Sequence, residues 1–143
     1  MKKIKLFHSV DPIKKADIFR VRLIGIIFNP RTRKILLEKN TGEKEFSFLD
    51  GGLRHNEELD KALKRMIFEK TGFKVHNLGA VYAENMLPER YKLKLYFLCE
   101  ATEGTQKIGP GVDDLKWISP KDTEKTIKEK LPPRLKEYLS NLA

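Results

Sequence analysis

The side chains best suited to chemistry are concentrated in residues 49–73, LDGGLRHNEELDKALKRMIFEKTGF. The carboxylates and cations of interest there are Glu57, Glu69, Arg54, Arg65 and Lys70. Carboxylate oxygens are ligands that Mg²⁺ takes in proteins, whereas guanidinium and ammonium groups bind anions such as phosphates. The stretch therefore combines groups that hold a divalent cation with groups that hold an anionic ligand.

The same stretch changes its hydrophobic period from two to nearly four, which predicts a helix over residues 57–71. Its apolar face contains Leu59, Ala62, Leu63, Met66 and Ile67. A sharp turn is expected at Gly51 and Gly52, and Gly72 is expected to end the helix. At about 100° per residue, positions 66, 69 and 70 share an arc of about 100° on one helix face.

This stretch resembles the signature of the Nudix (MutT-like) hydrolases, G-x5-E-x7-R-E-U-x-E-E-x-G-U, in which U is a bulky apolar residue. The spacing holds without a gap from Gly51 to Phe73, and seven of nine defined positions agree. The matching residues are Gly51, Glu57, Arg65, Ile67, Glu69, Gly72 and Phe73. The two departures are Met66 and Lys70, which stand where the signature has glutamate.

The resemblance implies an α/β fold, the Nudix-type α/β/α sandwich with a mixed β-sheet, in one domain over residues 1–143 with the box at 51–73. It implies Mg²⁺ held by carboxylates at positions 66, 69 and 70. Water activated by the metal and a carboxylate would attack a phosphorus of a nucleoside diphosphate derivative. It also implies that Glu57 pairs with Arg65 and braces the loop against the helix.

The two departures weaken the expected metal site. A methionine thioether is a soft, neutral ligand, and the ammonium of Lys70 repels a cation, so we expect Mg²⁺ binding to be weak or absent. Of the three box ligands only Glu69 is kept, and Lys70 is expected to be its charge partner. Asp113 and Asp114 are the best acids outside the box to complete a site with Glu69. The other acids considered, which are more typical of a solvated surface, are Glu84, Glu89 and Glu100.

By resemblance, the candidate catalytic residues are Glu69 and Glu57. The candidate substrate-binding residues are Arg65, Arg54 and Lys70, whose charges would replace that of a metal. Aromatic side chains that are candidates for stacking on a base, although most belong to the predicted core, are Tyr82, Tyr91, Tyr96, Phe97 and Trp117.

The rest of the chain predicts the elements that position this stretch. Strands are predicted at residues 21–28, 34–38, 44–49, 78–83, 93–99 and 115–118, with the first two forming a hairpin. A helix is predicted to start at Ser119-Pro120, with the serine as N-cap, and a final helix at residues 134–142. Cys99 lies in an apolar strand segment and is expected to be a buried thiol.

Composition excludes several classes of protein. The chain has 143 residues, one cysteine and a net charge of +9. One cysteine excludes an internal disulfide and a cysteine zinc site, and no apolar run approaches the roughly 20 residues of a membrane span. We expect a cytoplasmic protein with no membrane partner. The scattered lysines are typical of a solvated surface, so the charge alone does not favour nucleic acid.

Three functional hypotheses remain open at this stage. The first is a Nudix-like hydrolase that uses a possible Mg²⁺ ion, Glu69, Glu57 and an acid outside the box. The second is a catalytically weakened relative that binds nucleotide-like small molecules. The third is a domain that uses the fold to bind RNA, DNA or a protein, as the excess of positive charge suggests. The sequence leaves the substrate and the oligomeric state open.

Overall fold

The fold is built on a mixed sheet, seen in a computed structural model that describes residues 20–86 and 92–143. The strands of these residues are β1 (Arg20–Asn29), β2 (Lys34–Asn40), β3 (Leu49–Gly52), β4 (Phe73–Met86), β5 (Lys92–Gly104) and β6 (Val112–Ile118). Their order is β4-β5-β1-β2-β6, and β3 pairs with β1. Because β1 is parallel to β5 and antiparallel to β2 and β3, the sheet is mixed, as expected.

Strand β1 is the centre of this sheet and sorts its side chains to two faces. Leu23 and Ile27 pack on one face, and Ile24 and Ile26 on the other, all at most 2% exposed. A strand buried on both faces reads as a continuous apolar run, which is why the pattern was visible in the sequence. The predicted hairpin of β1 with β2 is confirmed.

Helices cover both faces of the sheet. Helix α1 (Leu59–Thr71) packs on the face of Leu23 and Ile27, whereas α2 (Thr123–Ile127) and α3 (Pro133–Leu142) pack on the opposite face. The predicted α/β/α sandwich is therefore confirmed. Within residues 20–86 and 92–143, no helix has the length and apolar character needed to cross a membrane.

The edges of several elements differ from the prediction. The third strand is Leu49–Gly52 rather than 44–49, because its ladder with β1 runs through the two glycines, with Leu23 opposite Gly51. In the predicted strand segment before Leu49, Ser47 forms an isolated antiparallel β-bridge with Glu38. The predicted strands at 78–83 and 93–99 are the middles of the longer strands β4 and β5, which pair with each other.

The helix boundaries also differ by a few residues. Helix α1 begins at Leu59 rather than 57, because the Glu57 carboxylate faces the preceding loop and accepts a hydrogen bond from the backbone N–H of Arg54. Gly72 ends α1 in the left-handed conformation, as predicted. Ser119 precedes a short 3-10 helix, Pro120–Asp122, without a side-chain cap. Cys99 is buried, as expected, and burial raises its pKa to about 12.

Candidate functional site

At position 66 the box helix presents an apolar side chain to the core. Met66 is 3% exposed and packs directly on Gly51, where an added Cβ would collide with the Met66 side chain. This close approach explains why β3 carries a glycine at the point where it passes under α1. The thioether at this position is therefore part of the core, as its place in the apolar stripe predicted.

At position 70 the ammonium group is held by oxygen atoms of two strands. Lys70 Nζ donates to Glu38 Oε2 at 2.9 Å and to the backbone carbonyl of Asp50 at 2.7 Å. Glu38 is completely buried, whereas the Lys70 side chain is 20% exposed. The ammonium thus has a carboxylate and a carbonyl as neighbours, which are the ligand types of a hard metal cation.

Glu38 was not predicted as a site residue. It ends a strongly apolar run, KILLE, and its carboxylate Oε2 also accepts from Asn40 Nδ2 and from the backbone N–H of Asp50, both at 3.2 Å. Its second oxygen, Oε1, lies 2.9 Å from Lys70 Nζ and accepts no hydrogen bond within the described residues. The only sequence signal was an acid at the end of a buried strand.

The electrostatic state of Glu38 reflects two opposing effects. Burial raises the pKa of the carboxyl above its ordinary value because it disfavours the charged form. The charge and hydrogen bond of Lys70 lower the pKa in the opposite direction, and they only partly offset the effect of burial. Lys70 is therefore the main group that favours the ionised form of this buried carboxylate.

A second ion-pair network lies at the start of α1. Arg65 Nε donates to Glu57 Oε2 at 2.7 Å, and Arg65 Nη2 donates to Glu57 Oε1 at 3.0 Å. This bidentate pair joins the box loop to the helix, so the predicted Glu57–Arg65 pairing is present. The guanidinium of Arg65 lowers the pKa of Glu57, and the carboxylate of Glu57 in turn raises the pKa of Arg65.

Glu69 belongs to the same network. Its Oε1 accepts from Arg65 Nη1 at 3.0 Å and lies 4.0 Å from Arg54 Nη2. The expectation that Lys70 would be the charge partner of Glu69 is wrong, because the Lys70 side chain turns to the buried Glu38. The structure therefore brings Glu57, Glu69, Arg54 and Arg65 together and separates Lys70 from them.

The acids predicted outside the box have other partners. Asp113 Oδ1 accepts from Thr41 Oγ1 at 3.1 Å, and Asp114 Oδ1 accepts from the backbone N–H of Leu115 at 2.8 Å. In residues 20–86 and 92–143, no three His, Cys, Asp or Glu side chains form a group that could hold a metal ion. Glu89, one of the weaker candidates, lies outside the described residues.

The side chains at positions 66, 69 and 70 do not fit Mg²⁺. A buried thioether, a carboxylate paired to arginine and an ammonium replace the three oxygen donors of the signature. Mg²⁺ demands hard oxygen ligands in near-octahedral geometry, which this set does not supply. The fixed cation at this place is the ammonium of Lys70.

A cavity of about 370 Å³ opens on the opposite face of the sheet, between the sheet and residues 127–132. Phe48 and Tyr96 form an edge-to-face pair in its wall, with ring centroids 5.9 Å apart. The Tyr96 O–H donates to Glu84 Oε1 at 2.8 Å, and burial raises the pKa of this phenol, so it stays neutral. Tyr96 is thus the stacking candidate that lines this cavity. Tyr82 and Trp117 line other grooves, and Tyr91 lies outside the described residues.

Comparison with known proteins agrees with the fold described above. A sequence model of the NUDIX domain matches residues 18–142. No curated protein matches the chain. Several hundred chains of solved structures do match it, and three of them illustrate the similarity.

A NUDIX hydrolase from Nitrosomonas europaea is 17% identical, with 87% of this chain and 90% of that chain covered and a TM-score of 0.66. A MutT from a study of Aliivibrio salmonicida and Vibrio cholerae is 20% identical, with 85% and 96% covered and a TM-score of 0.68. A UDP-X diphosphatase is 19% identical, with 99% and 69% covered and a TM-score of 0.69. At such identities the structures show a shared fold.

Proposed function

Because this chain belongs to the Nudix family, we propose that it binds nucleoside diphosphate derivatives and has only weakened metal-dependent hydrolysis of their diphosphate linkage. The observation that carries the proposal is the position of the Lys70 ammonium, bonded to the buried Glu38 and to the Asp50 carbonyl. A cation built into the chain already neutralises the carboxylate that faces position 70. A divalent ion would have to displace that ammonium before it gained its ligands.

The ammonium does not replace the chemistry of a metal. In metal-dependent hydrolysis the divalent ion lowers the pKa of a bound water and stabilises charge on the leaving phosphate. Lys70 instead donates its hydrogen bonds inward to the protein, and its side chain is only 20% exposed. It therefore stabilises the fold and contributes little to activating water.

The two retained glutamates are both bonded to Arg65. Arg65 holds the Glu57 carboxylate in a bidentate pair and lowers its pKa, which reduces its tendency to take a proton. Glu69 shares the same arginine. Catalysis by Glu57 and Glu69 would require that this network open, so their retention supports a structural role more than a catalytic one.

Binding of a nucleotide-like ligand has more support than hydrolysis. The cavity beside Phe48 and Tyr96 offers aromatic walls together with both acidic and basic side chains in its lining, and such a combination is typical of small-molecule sites. Of the three proposed substrate-binding cations, Arg65 and Lys70 are engaged in internal ion pairs, whereas the side chain of Arg54 is 65% exposed. Arg54 is therefore the box residue best placed to meet an anionic ligand.

Isothermal titration calorimetry and a turnover assay on the same samples test the proposal. The probes are UDP, UDP-glucose, ADP-ribose, a dinucleoside polyphosphate and a nucleoside triphosphate, each with Mg²⁺, with Mn²⁺ and with EDTA. UDP derivatives are included because one structural relative is a UDP-X diphosphatase. We expect binding of at least one probe that EDTA does not weaken, with slow or no turnover under all conditions.

Metal-dependent turnover that disappears in Glu69→Gln would show a working hydrolase and overturn the weakened-catalysis proposal. The matched control is Glu103→Gln, which removes a carboxylate from an exposed ion pair with Lys74, outside the network of Glu57, Arg65 and Glu69. If Asp113→Asn or Asp114→Asn also abolished turnover, those acids would be metal ligands. RNA binding that falls steeply with salt, without nucleotide binding, would favour the interaction hypothesis instead.

A further inference from the structure

Four cations lie together where β1 and β5 begin. The register of these parallel strands places Arg20 opposite Lys92 and Arg22 opposite Lys94. Residues two apart on a strand share a face, so all four side chains project from the same side of the sheet. We call Arg20, Arg22, Lys92 and Lys94 the cation block.

The cation block lies on the face opposite the box helix. Ile24 is the next residue of β1 on the same face as Arg20 and Arg22, and Tyr96 is the next residue of β5 on the same face as Lys92 and Lys94. Both pack in the hydrophobic cluster that includes residues of α2 and α3. Lys94 itself lines the 370 Å³ cavity together with Tyr96. The block therefore adjoins the aromatic cavity and is separated from Lys70 by the sheet.

Like charges in directly opposed positions of a sheet are destabilising. Arg22 has one partner, because its Nε donates to Asp50 Oδ1 at 2.8 Å. Glu84 is in register with Lys94, but its carboxylate accepts from Tyr96. In the two described ranges, Arg20, Lys92 and Lys94 take part in none of the ion pairs. Asp50 and Glu84 offset part of this positive charge, and an anionic ligand would offset the charge of the remaining cations.

The dimensions of the block indicate which kind of anion fits. Two residues along a strand cover about 7 Å, and neighbouring strands are about 5 Å apart. The four cationic residues therefore stand at the corners of an elongated patch on the sheet. A groove of about 560 Å³ on its other side is lined by Arg20, Arg22 and Arg54. Guanidinium groups match the geometry of phosphate oxygens, and several linked phosphates would span the block.

We infer that the cation block binds the diphosphate of the ligand without a metal ion, while the nucleoside enters the adjoining cavity beside Phe48 and Tyr96. This inference rests on the proposed function, since it names the residues that would hold the same ligand. It also explains how the protein could bind phosphates without the Mg²⁺ ion of the signature. The positive charge that neutralises the phosphates comes from β1 and β5 instead of from a metal held by α1.

Calorimetry in EDTA with UDP, uridine and inorganic pyrophosphate tests the inference. The test variants are Arg20→Gln/Lys92→Gln and Lys94→Gln. The matched control is Lys61→Gln/Lys64→Gln, which removes two exposed lysines from α1. We expect the double test variant to bind UDP and pyrophosphate at least tenfold more weakly, with uridine binding and the control unchanged.

Thermal unfolding separates a binding defect from a folding defect. Because the double test variant removes two opposed like charges, its Tm is expected to equal or exceed that of the wild type. Equal UDP binding by wild type and double variant would overturn the inference and leave the proposed function intact. Failure of the wild type to bind any nucleotide would overturn the proposed function, while pyrophosphate binding lost in the variant would still support the anion site.

Discussion

A single pair of side chains, Lys70 and Glu38, decides how the box region is held together. Glu38 is completely buried, and the ammonium of Lys70 is the only cation paired with it among the described residues. Leaving one partner of a buried ion pair without the other costs several kcal/mol, whereas replacing both partners is often nearly neutral. Removal of either partner alone is therefore expected to destabilise the protein, whereas replacement of both partners together is expected to have little effect on its stability.

Replacing Lys70 alone should destabilise the protein. Lys70→Met is expected to lower the free energy of unfolding by about 3 kcal/mol near neutral pH, measured by urea denaturation, because it leaves an unpaired buried carboxylate. The double variant Glu38→Gln/Lys70→Met should recover most of this loss. Lys64→Met, an exposed lysine on the same helix, is the control and should change stability by less than about 1 kcal/mol. Equal losses in the single and double variants would contradict the prediction.

The destabilisation by Lys70→Met should also depend on pH. Burial already raises the folded-state pKa of Glu38 above its ordinary value of 4.5, and removal of the Lys70 charge raises it further. A carboxyl whose pKa is higher in the folded state loses stability as pH rises through that folded pKa. The penalty should therefore be small near pH 4.5 and grow toward neutral pH. Urea denaturation of both proteins across this window measures it, and a constant difference would rule out the carboxylate as the cause.

At the scale of elements, helix α1 was the most predictable part of the chain. Its apolar stripe, the glycine turn before it and Gly72 after it are local signals, and the structure confirms the helix with a start two residues later. Glu38 was not predictable, because its partner is 32 residues away and the strand KILLE carries no local sign that its acid is buried. The position of β3 was missed for a related reason, since its pairing with β1 depends on glycines that look like a turn.

The contact between β3 and α1 leads to a prediction about Gly51. A Cβ at Gly51 would collide with the buried Met66 side chain, so Gly51→Ala is expected to cost about 1–3 kcal/mol of unfolding free energy. In a Met66→Ala background the same change should cost much less, because the obstructing atoms are gone. Gly52→Ala is the control, since there the added carbon meets only the end of the Arg22 side chain. Chemical denaturation of the four variants measures the coupling, and additive effects would contradict it.

At the scale of the whole molecule, the sheet separates two sets of charges. On the α1 face the cations Arg65 and Lys70 are engaged by the carboxylates Glu57, Glu69 and Glu38. On the other face the cation block stands beside a cavity that is also lined by the acids Asp50, Glu84 and Glu129, and Asp50 is bonded to Arg22. Part of the net charge of +9 is thus concentrated at one place rather than spread evenly over the surface. In the proposed complex, the charge that binds the anion lies across the sheet from the box helix.

Restoring the signature should make the stability of the whole protein respond to metal. The variant Met66→Glu/Lys70→Glu places new carboxylates at a position 3% exposed and beside the buried Glu38, so without metal it should be less stable than the wild type. Mg²⁺ or Mn²⁺ at about 100 times its Kd would return about 2.7 kcal/mol, which corresponds to a rise in Tm of several degrees. Differential scanning calorimetry should show this rise in the double variant and no rise in the wild type.

The neutral pair Met66→Gln/Lys70→Gln is the control for the substitutions themselves. No response of the double variant to metal would mean that residues outside the box have also lost the ability to complete the site, and a response of the wild type would mean that Lys70 does not exclude the ion.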